Sequence, residues 1–338
     1  MSTIDKIISS SGINQGTSSV NLSGKSFQYY DSSTDTANLL SEVSGVTQSR
    51  FDDTQYYSQT TNKTAVVVSY SNDASLYSDD SITWNTGVSL PSSSTWTDVT
   101  QGAGKFVAVA YNTDKLAVRQ TLTWSAETLP STDQWGYIFY AKNKFIVNVN
   151  NGTKYLSSPI DLQTWTTGTL PSNSTWINMQ YGKDNYLIAI NGSSNYATSS
   201  DLSTWTLRSN SNTLSYKQVA FINNQFFLVA ETTDKLLYSS DAINWSTATL
   251  SGSYAWRNLA HGKNIYVIIA QNNSKYNTSA DGITWTERTF LSGQWKDIVY
   301  KNNNFNIIAD GGSVLLTSPD GLTWTQRTVP TKGWSAIA

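Results

Sequence analysis

The chain has 338 residues, no cysteine, a formal net charge of −2 and a charged fraction of only 14%. Without cysteine, disulfides and thiolate metal sites are excluded, and the near-neutral charge gives no electrostatic reason to expect a nucleic-acid or anionic-membrane partner. No segment approaches the roughly 20 apolar residues of a membrane helix, and MSTIDKIISSSGINQG lacks the basic and apolar regions of a signal peptide.

In chain order, residues 1–50 come first, rich in Ser, Thr, Asn and Gly, with FQYY (27–30) and ANLL (37–40) as the apolar anchors. They are expected to form a largely irregular N-terminal arm that attaches the protein to a partner. Residues 51–338 then repeat. A Trp follows a short polar turn at Trp84, Trp124, Trp165, Trp205, Trp245, Trp285 and Trp324, spaced 40, 41, 40, 40, 40 and 39 residues apart. Ten to twelve residues after each lies Trp96, Trp135, Trp176, Tyr216, Trp256, Trp295 or Trp334, and the two series account for all 13 tryptophans.

One period, residues 176–211, reads as four strands: WINMQY, then a hairpin turn, then the apolar run YLIAI, then NYATSS, then TWTLR after another turn. The equivalents of YLIAI, such as FVAVA (106–110), FFLVA (226–230) and YVIIA (266–270), are apolar on both faces, as strands sandwiched between neighbouring sheets should be. Four short strands per 40 residues, repeated seven times, predict an all-β, seven-bladed β-propeller of four-stranded antiparallel blades. WSAIA (334–338) matches the first-strand pattern and is expected to supply the inner strand of blade 1 and close the ring; TQYYSQ (54–59) is the alternative.

The turn before each first-series Trp carries Ser-x-Asp-Gly-x-Thr-Trp or a variant, as in SADGITW (279–285), SPDGLTW (318–324) and SDDSITW (78–84). Asp80, Asp161, Asp201, Asp241, Asp281 and Asp320 are placed to accept backbone N–H groups, Gly282 and Gly321 to take positive φ, and the indoles to dock the turn on the blade. This motif resembles the Asp-box of sialidase-like propellers, although that family has one more residue between Asp and Gly, and the turns before Trp124 and Trp165 are degenerate. The resemblance implies a fold and no particular reaction.

Catalysis is not expected. A sialidase-like glycoside hydrolase would need three converging arginines, a Tyr–Glu pair and an acid/base Asp. The six arginines offer no cluster at the ring axis, because Arg208, Arg288 and Arg327 recur on outer strands; the sole His261 reads as a turn residue. No cofactor or metal is expected. Binding has better material, in the loops around each inner strand. Trp96, Trp135, Trp176, Trp256 and Trp295 offer aromatic faces for sugar stacking. Asp114, Lys115, Asn151, Lys154, Asn191, Asn195, Asp234, Lys235, Asn272, Lys275 and Asp310 offer polar partners.

The low charge, the polar repeats and the non-repeating arm resemble bacteriophage virion proteins with propeller domains. That resemblance implies a non-enzymatic, multimeric tail or capsid-surface protein whose propeller contacts host-surface glycan and whose arm binds other virion proteins. A cellular scaffold resembling the seven-bladed photosystem assembly factors is the alternative; such proteins are usually targeted across a membrane, and this N-terminus shows no such signal.

Overall fold

The computed structural model describes three strands of the first 62 residues and, from residue 64 onward, everything except residues 71 and 87. The chain divides into two units, Met1–Asn62 and Lys63–Ala338. In the first, Ile7–Ser9, Phe27–Asp31 and Thr36–Leu40 form an antiparallel sheet in which Phe27 stands opposite Leu40. The irregular arm expected from composition therefore contains a meander, built where the FQYY and ANLL anchors pair. The alternative closing segment 54–59 lies outside the described residues.

The second unit is all-β, with no helix among its described residues. Its repeat is a four-stranded antiparallel sheet, as in Trp96–Gly102, Lys105–Ala110, Thr113–Arg119 and Trp124–Asp133, or in Trp256–Gly262, Ile265–Ala270, Asn273–Ser279 and Thr286–Gly293. Elsewhere the outer strand of one repeat runs unbroken into the inner strand of the next. Thr166–Gly182 pairs with Asn151–Pro159 through its first half and with Asn185–Ile190 through its second. Continuity of this kind joins three repeats into one ten-stranded ladder.

The hairpins between inner and second strands turn through two positive-φ residues, such as Lys263 and Asn264 or Asn302 and Asn303. Both central residues with φ above zero define the type I′ turn, whose twist matches that of the strands it joins. The second strands are buried throughout, and the core lies between neighbouring sheets: Val107, Val109 and Leu116 of one pack against Trp135, Phe145 and Val147 of the next. The same packing joins the last repeat to the first, where Ile308 and Leu315 meet Val67, Leu76 and Trp334.

The C-terminal end of Thr325–Ile337 pairs with Ala65–Ser69, Trp334 opposite Ser69 and Ala336 opposite Val68. Two backbone hydrogen bonds between Val66 and Ala338, of 2.9 and 3.0 Å, extend the pairing to the last residue. A sheet built from both ends of the unit leaves neither end as a free edge.

Candidate functional site at the start of the inner strands

Each inner strand begins at a second-series aromatic residue, and these side chains form the deepest layer of the core. Trp135, Trp176 and Trp256 are 0% exposed and Trp334 is 2% exposed. The indole N–H groups of Trp96, Trp135, Trp176, Trp256 and Trp295 donate to the carbonyl four residues earlier at 3.0–3.1 Å, and the Tyr216 hydroxyl reaches the equivalent carbonyl of Asn212 at 2.8 Å. The sugar-stacking role read for these tryptophans is corrected by this burial: no ring face remains for a ligand. A period of 40 cannot distinguish an aromatic that faces solvent from one that faces the neighbouring sheet.

The first series is only half-buried and packs against the preceding repeat. Trp205 meets Tyr155, Trp245 meets Tyr196 and Trp324 meets Tyr276, all edge to face with centroids 5.5–5.9 Å apart. Its turns are held from within. Asp281 Oδ1 accepts the N–H groups of Ile283 and Thr284 at 2.8 and 2.7 Å, and Asp80, Asp201, Asp241 and Asp320 do the same in their repeats. These donors favour the carboxylate and hold Asp80 down to about 2. Asp161, in a degenerate turn, accepts one such bond, from Gln163.

The polar residues proposed from the rim loops are partly engaged with one another. What reads in sequence as loops around each inner strand is largely an extended ladder, with Asn151 opposite Thr175, Thr113 opposite Asp133 and Thr233 opposite Tyr254. Lysines stitch it: Lys115 donates to Ser94 at 2.9 Å, Lys154 to Asp133 at 2.6 Å and Lys235 to Asn212 at 3.4 Å, while Lys275 pairs with Glu287. Asn195 donates its backbone N–H to Ser193 at 3.0 Å. Asn151 and Asn272 are exposed, and Asp114, Asn191, Asp234 and Asp310 are half-buried. The ladder spreads these groups around the repeats and converges none of the neutral ones on a single point.

Convergence occurs one residue further in. Every inner strand is bulged just after its aromatic residue, as between Trp256 and Leu259 or between Trp295 and Asp297. A bulge takes two residues out of the inward-outward alternation and re-aims them. The second of the two reaches the next inner strand: Asn178 both donates to and accepts from the Val219 backbone at 2.8 and 2.7 Å, Gln218 does so with Leu259 at 3.5 and 2.7 Å, and Asn258 donates to Asp297. Asp98 Oδ2 accepts Ile138 N–H at 2.9 Å, and Asp297 Oδ2 accepts Ile337 N–H at 3.1 Å. The result is a polar girdle joining repeat to repeat.

Enclosure by protein raises both girdle carboxyls, Asp98 to about 8 and Asp297 to about 6, and the proximity of Asp297 adds to the shift of Asp98. Tyr137, at the same position in the next repeat, is pushed up to about 12 by burial and then by the Asp98 charge. The first bulge residue is charged in three consecutive repeats: Lys217, Arg257 and Lys296. Lys217 pairs with Glu231 at 2.8 Å, Arg257 Nε donates to Gln271 at 2.5 Å, and Lys296 stands 4.0 Å from Asp310. Enclosure lowers the Lys296 ammonium, and the Arg257 and Lys217 charges lower it further.

Sequence reading missed this arc and placed no arginine near the axis; Arg257 is the exception, on an inner strand. Arg208, Arg288 and Arg327 do sit on outer strands, each donating from Nε to a Thr of the third strand at 2.8–3.1 Å. His261 lies at the far end of its inner strand, beside Tyr266 and bonded to Asn223, with burial lowering its pKa. The available signal was the residue directly after each second-series aromatic, charged in three successive periods.

No family model matches the chain, and no curated protein matches it. Among solved structures it is similar to a putative 6-phosphogluconolactonase from Bacteroides fragilis, with a TM-score of 0.65, 8% identity, and coverage of 83% of this chain and 99% of that one. It is also similar to YCF48 from Cyanidioschyzon merolae, with a TM-score of 0.61, 14% identity, and coverage of 77% and 92%. A streptogramin B lyase gives a TM-score of 0.62 at 12% identity, over 70% of this chain and 84% of that one. Identities this low carry the fold alone. These neighbours are β-propellers, and the described repeats of antiparallel four-stranded sheets are of the same kind.

Proposed function

We propose that the chain is a seven-bladed Asp-box propeller acting as a non-enzymatic binding module, and that it serves as a bacteriophage virion protein displaying this module to the host surface while residues 1–50 attach it to other virion proteins. The blade count is supported by the order of inner-strand neighbours. From Trp96–Gly102 each inner strand lies beside that of the next repeat, and Thr325–Ile337 lies back against Trp96–Gly102.

The observation that carries a binding role is the division of labour at the inner strands. The carboxyls with raised pKa values, Asp98 and Asp297, have their oxygens committed to backbone N–H groups of their own and neighbouring strands. Groups so tied staple strands and are poorly placed to exchange protons with a substrate. The charged arc beside them is turned to the face that also carries the rim ladder, which suits recognition.

Two experiments test the reading. Cross-linking from residues 1–50 of the full chain within the intact assembly is expected to capture other virion proteins, and the purified chain is expected to bind a glycan array or host cells without releasing product. Turnover of a sialoside or another polysaccharide, or an assembly unaffected by deletion of residues 1–50, contradicts it.

A further inference from the structure

The three cations of the bulges form one side of the propeller's axial face. Their register is fixed by the girdle, because Gln218 ties the Lys217 strand to Leu259 and Asn258 ties the Arg257 strand to Asp297, the residue after Lys296. Adjacent inner strands carry them in order, and each is the first residue after the aromatic core. Their partners compensate them unevenly. Glu231 is 2.8 Å from Lys217, Asp310 is 4.0 Å from Lys296, and Arg257, whose Nε donates to the neutral amide of Gln271, makes no ion pair with a carboxylate among the described residues. Glu231 and Asp310 face the arc, and the Asp297 carboxylate acts on Lys296 from the girdle, so the arc is balanced in total and what it offers a ligand is the Arg257 guanidinium.

The next two repeats around the same rim differ. Where the charged repeats place Glu231, Gln271 and Asp310 directly after the second strand, two other repeats place Tyr70 and Tyr111. Tyr70 is 48% exposed, in contrast to the buried tryptophans one strand away. An arc of cations with carboxylate and amide acceptors, on the same rim as the exposed Tyr70 and the half-buried Tyr111, matches a ligand with an oxyanion, several hydroxyls and an apolar ring face. A nucleic acid would need a longer basic track than three cations interleaved with acids on a chain of net charge −2.

We propose that Lys217, Arg257 and Lys296 form the oxyanion subsite of an acidic-saccharide site, with the sugar ring lying toward Tyr70 and Tyr111. The inference rests on the reading of this face as the contact surface. Arginine takes the oxyanion through the two terminal nitrogens that Gln271 leaves free of its Nε bond, and the lysines contribute point charges on either side.

The test is calorimetric titration of the full chain with three probes: a carboxylated oligogalacturonate, a sulfated heparin-derived oligosaccharide and neutral maltohexaose. Binding of an acidic probe that weakens with salt, with no binding of the neutral one, is expected; which acidic probe binds identifies the oxyanion. Arg257→Gln and Lys296→Gln, each with a native melting temperature, should weaken binding about tenfold, and Lys144→Gln, an exposed cation at the far end of the sheet, should leave it unchanged. No acidic probe binding, or an unchanged affinity in both arc variants, overturns the proposal. If host cells bind the arc variants as they bind the native chain, this subsite alone is wrong; if the native chain binds neither cells nor glycans, the contact-surface reading falls as well.

Discussion

Trp256 and Trp285 stand in the same repeat and do different work. Trp256 opens the inner strand, is 0% exposed and donates its N–H to Gly252 at 3.0 Å. Trp285 closes a turn, is half-buried, donates to Gly282 at 3.2 Å, and lies edge-on to Tyr266 with centroids 6.4 Å apart. One fills the space between sheets; the other clips its turn onto the second strand of the same repeat. A residue therefore recurs at one spacing for two separate physical reasons, and only burial tells them apart.

The largest expected effect breaks that comparison at its deeper member. Trp256→Ala removes a fully buried indole and should lower unfolding free energy by about 3–5 kcal/mol in urea titration, against about 1–3 kcal/mol for Trp285→Ala. Equal losses would mean that both rings are core and that the turn-clip role is wrong.

The turn itself comes next. Asp281→Ala strips the acceptor from two backbone N–H groups and is expected to cost about 1–2 kcal/mol, a modest figure because the turn is solvated and water replaces part of the loss. Gln120→Ala, at the matching position of a degenerate turn, should change stability by less than about 0.5 kcal/mol on the same assay.

Smaller still, and separable by pH, is the contrast between turn and girdle carboxylates. Asp80 is held low, so its contribution is complete above about pH 4 and disappears as pH falls through about 2. Asp98 and Asp297 are raised, so the fold keeps a proton that the unfolded chain releases near pH 4. Their contribution is present below that point and is lost as pH rises through about 6 for Asp297 and about 8 for Asp98. Asp98→Asn, which copies the Asn178 and Asn258 of sister repeats, should flatten the decline of melting temperature between about pH 6 and 8, above the range in which Asp297 titrates. A decline as steep as in the parent chain would show that Asp98 does not titrate there.

Much of the fold could be read from the chain, because its signals are local. FVAVA and YVIIA are apolar at every position, and a 40-residue period needs no tertiary knowledge. Turn chemistry was legible at Gly282 and Gly321 but hidden where Ser81, Leu162, Leu202 and Ala242 adopt the same positive φ without glycine. The arc was not legible, since Lys217, Arg257 and Lys296 lie about 40 residues apart and become neighbours only once bulges and girdle bonds set the register. The rim lysines were found by position, but not their partners: the pairing of Lys154 with Asp133 appears only once the ladder sets the two side by side. The strands of residues 1–62 were missed because their pairing is long-range, Ile7 with Tyr29, in a segment whose composition suggests irregular chain.

Ring closure is the claim on which blade count, girdle and axial arc all depend, and one cross-link tests it. The chain has no cysteine, so Val68→Cys with Ala336→Cys, paired across the joint between the last and first strands, introduces a single candidate disulfide. Under mild oxidation the account predicts an intramolecular bond in the monomer, seen as faster migration on a non-reducing gel and reversed by reductant. Thiols that stay free in the folded chain, or that react only between molecules, would contradict a closed ring.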